Sequence, residues 1–249
     1  MTVAIIGSGK MGSGFARLLA SKGFDIAISN KNPEKAVALA NEIGAKVKGG
    51  SVKDAVSQAD VIFLAVKYDD AAEALKAAGD LTNKVVIDIS NPITADFKGL
   101  TIGHSTSAAE EIQKLAPVAK VVKAFNTIFA ELLPTESRKG RKVQVFIAGD
   151  DETAKAKVSD LVKAAEFEPI DSGTLAAASS CWFIFAMGVF GGYFFRLCSN
   201  SVTIFIAGPA FHEFRNPVCG YSSFGSVMRS NPFGTPSLAG GVHQSRSSS

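Results

Sequence analysis

The chain has 249 residues, 47% of them apolar and 20% charged, the composition of a soluble globular protein with room for one large domain or two small ones. Its formal net charge of +3 is too small to favour nucleic acid or an anionic membrane surface as a partner. The apolar start Val3–Ile6 is short, lacks a basic lead-in and runs straight into glycines, so no signal peptide is read there and a cytoplasmic protein is expected.

Val3–Ile6 reads as a strand buried on both faces. It enters Gly7-Ser8-Gly9-Lys10-Met11-Gly12, after which a helical pattern through Phe15, Leu18 and Leu19 closes at Gly23. Phe24–Ser29 is a second strand. Asn32-Pro33 supplies a helix cap and a proline at the first helical position, and that helix ends at Gly44. A weak third strand is expected near Lys46–Val47. Further strands are predicted at Val61–Val66, Val85–Ile89, Val121–Phe125, Val143–Ala148 and Glu168–Ile170, with helices over Val52–Gln58, Asp70–Ala78, Ser107–Leu115 and Glu152–Ala165. Strands alternating with helices imply a doubly wound, Rossmann-type α/β domain over residues 1–175: a parallel sheet with helices on both faces.

The spacing Gly7, Gly9, Gly12 is G-x-G-x-x-G in its required context, between a buried strand and a helix, with a second strand about twenty residues on. Gly7 permits the tight turn, Gly9 lets a pyrophosphate approach the backbone, and Gly12 lets the helix pack on the strand. The phosphates are then expected at the helix N-terminus, whose N–H groups and dipole favour negative charge. The end of the second strand carries Ser29-Asn30-Lys31-Asn32, with Lys35 one turn on, where NAD-specific domains place a carboxylate. Two ammonium groups with polar neighbours, and no local carboxylate to repel a 2′-phosphate, favour NADP over NAD.

The segments Ile5–Gly12, Ser29-Asn30-Lys31, Phe63-Leu64-Ala65-Val66, Val86–Pro92 and Lys123-Ala124-Phe125-Asn126-Thr127 follow one another in a familiar order. They resemble the NADP-binding domain of the deazaflavin (coenzyme F420)-dependent NADP oxidoreductase family. That domain type is similar to the one in pyrroline-5-carboxylate reductases and in the cytosolic part of the STEAP metalloreductases. The resemblance implies that Asn30, Lys31 and Lys35 hold the 2′-phosphate. It places Ala65 and Val66 along the ribose and nicotinamide side, and Asn91, Pro92, Val122 and Ala124 beside the nicotinamide. Lys67 departs from the proline common in relatives. The implied reaction is hydride transfer between NADP(H) and a small-molecule deazaflavin, flavin or related acceptor. It needs chiefly positioning and exclusion of water, because the cofactor supplies the reactive atom. A module that senses NADP(H) without turnover is the alternative from another class, and a membrane-anchored reductase is a third.

No catalytic triad or metal cluster is read from the sequence, and no catalytic residue is assigned. His104, followed by Ser105, Thr106 and Ser107, offers a proton-relay reading. Ser107 with Glu110 three residues later is more simply a capping box. Asn126 and Thr127, just past a strand end, are candidates for touching the acceptor.

Residues 176–249 change vocabulary. They keep only Arg196, Glu213, Arg215, Arg229 and Arg246 as charges, yet hold all three cysteines (Cys181, Cys198, Cys219), at spacings that match no zinc or redox motif. Three readings stay open for this low-charge, Phe/Gly/Ser-rich tail: a frameshifted or disordered segment, a membrane or interfacial segment centred on Cys181–Phe195, or a folded extension. In relatives the corresponding region completes the acceptor pocket and the dimer contact, so a homodimer is expected if that end is intact.

Overall fold

Along β1 (Thr2–Ile6), Val3 and Ile5 turn to one apolar layer while Ala4 and Ile6 turn to another, and all four are buried. The same two-residue alternation runs through β4 (Val61–Leu64) and β5 (Val85–Asp88), so a continuous apolar run here means a strand covered on both faces. The computed structural model describes residues 1–94, 96, 101–102 and 106–178, together with the backbone of 195–198 and 201–204.

The remaining strands of the sheet are β2 (Asp25–Ser29), β3 (Val47–Gly50), β6 (Lys120–Lys123), β7 (Gln144–Gly149) and β8 (Glu168–Asp171). Their order is β3-β2-β1-β4-β5-β6-β7-β8. Helices α1 (Lys10–Ser21), α2 (Pro33–Ile43) and α6 (Glu152–Ala164) bury Phe15, Leu19, Ala36, Ala40, Val158 and Leu161 in the first layer. Helices α3 (Val52–Ser57), α4 (Ala71–Ala78) and α5 (Ala108–Leu115) cover the other face with Val56, Leu75 and Ile112. The doubly wound Rossmann-type architecture expected from the sequence is present.

Two details differ from expectation. The third strand is longer than Lys46–Val47, because Gly49 and Gly50 hide it from a pattern search. A Cβ at Gly49 would collide with the Ala36–Val37 peptide, so glycine there lets α2 lie directly on the strand. The sheet is also not wholly parallel, since β7 pairs with β6 antiparallel while β8 runs parallel to β7. The physical reason lies in the connection. Residues 124–143 contain only two short 3-10 turns (Ala130–Leu132 and Thr135–Arg138), with no helix to carry the chain back to the start of the sheet.

That connection is pinned by Arg138. Its buried guanidinium donates to the carbonyls of Leu132, Leu133, Ala165 and Glu166 at 2.8–2.9 Å and lies 3.6 Å from the centroid of the Phe167 ring. Strands β9 (Phe195–Cys198) and β10 (Ser201–Ile204) form an antiparallel pair in a second unit of the chain. The segment Cys181–Phe195, read as a bilayer candidate, lies almost wholly outside the described residues. Among the described residues no helix is long and apolar enough to cross a membrane.

Candidate dinucleotide site

The turn after β1 is built from backbone contacts that only glycine allows. Gly7 has φ +110°, its N–H donates to the Ser29 carbonyl at 2.9 Å, and a Cβ on it would overlap the Ala65 carbonyl. A Cβ on Gly12 would fall on the Gly7 carbonyl oxygen and 2.8 Å from its carbon. Gly9 differs: a Cβ there would meet nothing within 4 Å, so the position opens outward. Gly9 caps α1, which has no side-chain cap and no acidic residue in its first turn. The positive end of the helix dipole therefore faces the opening uncompensated.

In front of this loop lies a cleft of about 500 Å³, within the range of small-molecule sites. Gly9, Lys10 and Met11 line it from α1, Ala65 and Val66 from the end of β4, and Asn91 from the segment after β5. Six residues expected at the cofactor thus share one cleft. The carboxyl ends of parallel strands meet there, as in open α/β sheets generally.

The far wall rests on a buried ion pair. Lys123, on β6, is 2.7 Å from the Asp88 carboxylate and also donates to the Ser90 carbonyl, while the other Asp88 oxygen accepts the Ser90 N–H at 2.8 Å. Lys123 and Asp88 are 3% and 0% exposed, so these bonds replace water that neither group can reach. Asn91 donates to the Asn126 carbonyl at 2.8 Å, and Asn126 donates back to the Asn91 side chain at 3.2 Å. Phe125, immediately before Asn126, takes φ +59°, a conformation unusual for an aromatic residue. Its ring is fixed against Phe15, Phe63 and Phe167, with centroids 4.9–5.7 Å away. Ser90 Oγ and Asn126 Oδ1 are buried without hydrogen-bond partners.

At the end of β2, Asn30 is occupied locally. Its side chain donates to Ser8 Oγ and accepts from the Asn32 N–H at 2.9 Å, which ties the glycine loop to β2. Lys31 is engaged as well, with its ammonium 3.1 Å from Asp70 and 2.7 Å from Glu73. The hydrogen bonds to Glu73 and then Asp70 raise its pKa above the usual lysine value. The expectation of no nearby carboxylate fails: Glu34 lies three residues along the chain in the first turn of α2, and the fold brings Asp70 and Glu73 to Lys31 from α4 and the turn before it. Lys35 lies exposed in the first turn of α2.

Pro92, Val122 and Ala124, also expected at the cofactor, are buried and are not among the residues lining this cleft. Gly7, Ser8 and Gly12 shape the loop from behind. Lys67, Tyr68, Ile89, Ser90 and Ile93 line the cleft and were not assigned to it, although each follows a strand end, which is the signal that would have found them. Burial is the main force raising the Tyr68 phenol above its usual pKa. His104 and Ser105 lie outside the described residues. Ser107 and Glu110 do form the capping box, with bonds of 3.2 and 2.7 Å.

The family model for coenzyme F420-dependent NADP oxidoreductases matches residues 2–92. The F420-dependent NADP reductase of Methanothermobacter marburgensis is 30% identical over 148 residues, covering 53% of this chain and 66% of that protein. A crystal structure of the hypothetical protein SMa0349 from Sinorhizobium meliloti superposes with a TM-score of 0.66 at 37% identity, covering 72% of this chain and 88% of the other. The chain carries the NADP-binding domain of the coenzyme F420-dependent NADP oxidoreductase family. Metalloreductase STEAP3 of Rattus norvegicus is 36% identical over 176 residues, which is 71% of this chain and 34% of that protein. The chain thus spans about a third of the length of the metalloreductase relatives it matches.

Proposed function

We propose that this chain binds NADP(H) in the cleft before α1 and transfers hydride between it and a small-molecule acceptor of the deazaflavin or flavin type. The observation that carries the reading is the glycine cradle: Gly7 and Gly12 close the turn against carbonyls, while Gly9 opens it toward the cleft at an uncapped helix N-terminus. These residues fit a diphosphate, which asks for N–H donors and room for its oxygens. Lys31 and Lys35 stand where a ribose 2′-phosphate would lie, at the end of the second strand.

Bound NADP(H) supplies the hydride-carrying carbon, so the protein's work is placement. Ala65 and Val66 form the wall along the cofactor, and the Asn91–Asn126 pair with Ser90 fixes the end of the cleft where the nicotinamide would lie. Ile89 and Ile93 give that end an apolar lining that limits water at the reacting atoms. Hydride transfer to a deazaflavin or flavin leaves the acceptor ring short of one proton, which solvent can supply, so no general acid or base is required of the side chains.

Calorimetric titration of the full chain with NADPH and with NADH tests the cofactor assignment. Binding of NADPH at least about tenfold tighter is expected, since a paired phosphate contributes on the order of 1.4 kcal/mol or more. Equal affinities, or binding of neither, would refute it. Stopped-flow mixing of the NADPH-loaded chain with a deazaflavin and with a flavin then reads turnover through loss of nicotinamide absorbance. Binding without oxidation by either acceptor overturns the hydride-transfer step.

A further inference from the structure

Lys31, expected from the sequence to meet a 2′-phosphate, already has two anionic partners for its ammonium. It follows β2, whereas Asp70 and Glu73 stand at the start of α4, after β4. In the sheet, β2 and β4 flank β1 on either side. A bridge between their carboxyl ends therefore passes over the end of β1, where the glycine loop begins. The three charges sum to −1. A phosphate monoester of nearly two negative charges that approaches Lys31 meets both carboxylates as well. All three side chains are largely exposed, at 60%, 42% and 68%, so the bridge is of the loose kind that a competing anion can displace.

Resting on the NADP(H) reading above, we propose that Asp70 and Glu73 are specificity-setting residues. They hold Lys31 in the bridge between the ends of β2 and β4 and give it up to the 2′-phosphate, which tempers affinity for NADP(H) while leaving NAD(H) untouched. Lys35, one helical turn from Lys31 and free of the bridge's carboxylates, supplies the charge that meets the phosphate during the exchange.

The test is titration of the full chain and of the Asp70→Asn/Glu73→Gln variant with NADPH, NADH and 2′,5′-ADP, the last carrying the phosphate without the nicotinamide. The variant is expected to bind NADPH and 2′,5′-ADP more tightly, by about 1.5-fold to fivefold for each exposed ion pair removed, with NADH unchanged. The gain should shrink with added salt. It should vanish when Lys31→Gln is added to the variant. Equal gains for NADPH and NADH would make the effect one of overall charge and overturn the proposal. So would no change, or weaker NADPH binding, which would mean that the carboxylates orient Lys31 for the phosphate. Failure of the underlying reading shows separately, as an unaltered chain with no preference for NADPH. Circular dichroism of the variant confirms that its fold is intact.

Discussion

Replacing Lys123 by methionine is expected to be among the most damaging single changes to the far wall of the cleft. The ammonium lies 2.7 Å from Asp88 and also donates to the Ser90 carbonyl, and the Asp88 carboxylate has no exposure to water. Lys123→Met keeps most of the apolar stem but leaves that carboxylate with only the Ser90 N–H for company. Stranding one member of a buried pair costs about 3–5 kcal/mol. Against a typical total of roughly 5–15 kcal/mol, that is a large share of the domain's stability. At about 2–4 °C per kcal/mol for a chain of this size, the unfolding midpoint should fall by roughly 6–20 °C. Urea unfolding followed by circular dichroism gives the free energies. Adding Asp88→Leu should recover most of the loss, because an apolar pair of similar volume no longer buries a lone charge. A Lys123→Met cost below about 1 kcal/mol, or a double variant that loses as much as the sum of the singles, would refute the argument that the pair is desolvated.

Two further outcomes follow from the same structure. Gly12→Ala puts a methyl group onto the Gly7 carbonyl, so α1 must retreat by on the order of 1 Å, with an expected loss of about 1–3 kcal/mol in stability. NADPH affinity should fall at least about tenfold with it; an alanine variant with unaltered binding would remove the glycine cradle from the site. Asp151 caps α6 and bonds to Lys120, which with the Ala154 N–H lowers its pKa below the usual carboxylate value. A lowered folded-state pKa means that its contribution is present above the ordinary carboxylate range and lost as the pH falls through the folded value. Asp151→Asn should therefore flatten the acid side of the stability profile, and a profile of unchanged steepness would count against that role.

What could be read along the chain was local. The apolar runs of β1, β4 and β5, the Asn32-Pro33 start of α2 and the Ser107–Glu110 box are all patterns within a few residues, and each stands where the sequence placed it. What could not be read depends on residues far apart in the chain. The Lys31 bridge joins positions 39 and 42 residues away, and the Lys123–Asp88 pair spans 35. Val122 and Ala124 occupy strand-end positions of the expected kind, but neighbouring elements cover them, and burial is a property of the assembled sheet. The reversal at β7 was hidden for a related reason, since strand direction is decided by whether a helix intervenes. Between β6 and β7 the apolar text continues through Phe125, Ile128 and Leu133 without forming one.

The collision that a Cβ would suffer at Gly7 and Gly12 is with peptide carbonyls, whereas the residues beyond the ends of β2 and β4 are exposed, solvent-facing charges. The two ends of a dinucleotide would therefore be recognised in different materials. The diphosphate end is written in main-chain geometry, and almost no substitution can adjust it by degrees. On the reading proposed above, the ribose end would be written in Lys31, Lys35, Asp70 and Glu73, exposed side chains where a single change of charge disturbs little packing. A protein built this way can retune which dinucleotide it favours by surface exchange alone, while the feature that makes it a dinucleotide binder stays fixed.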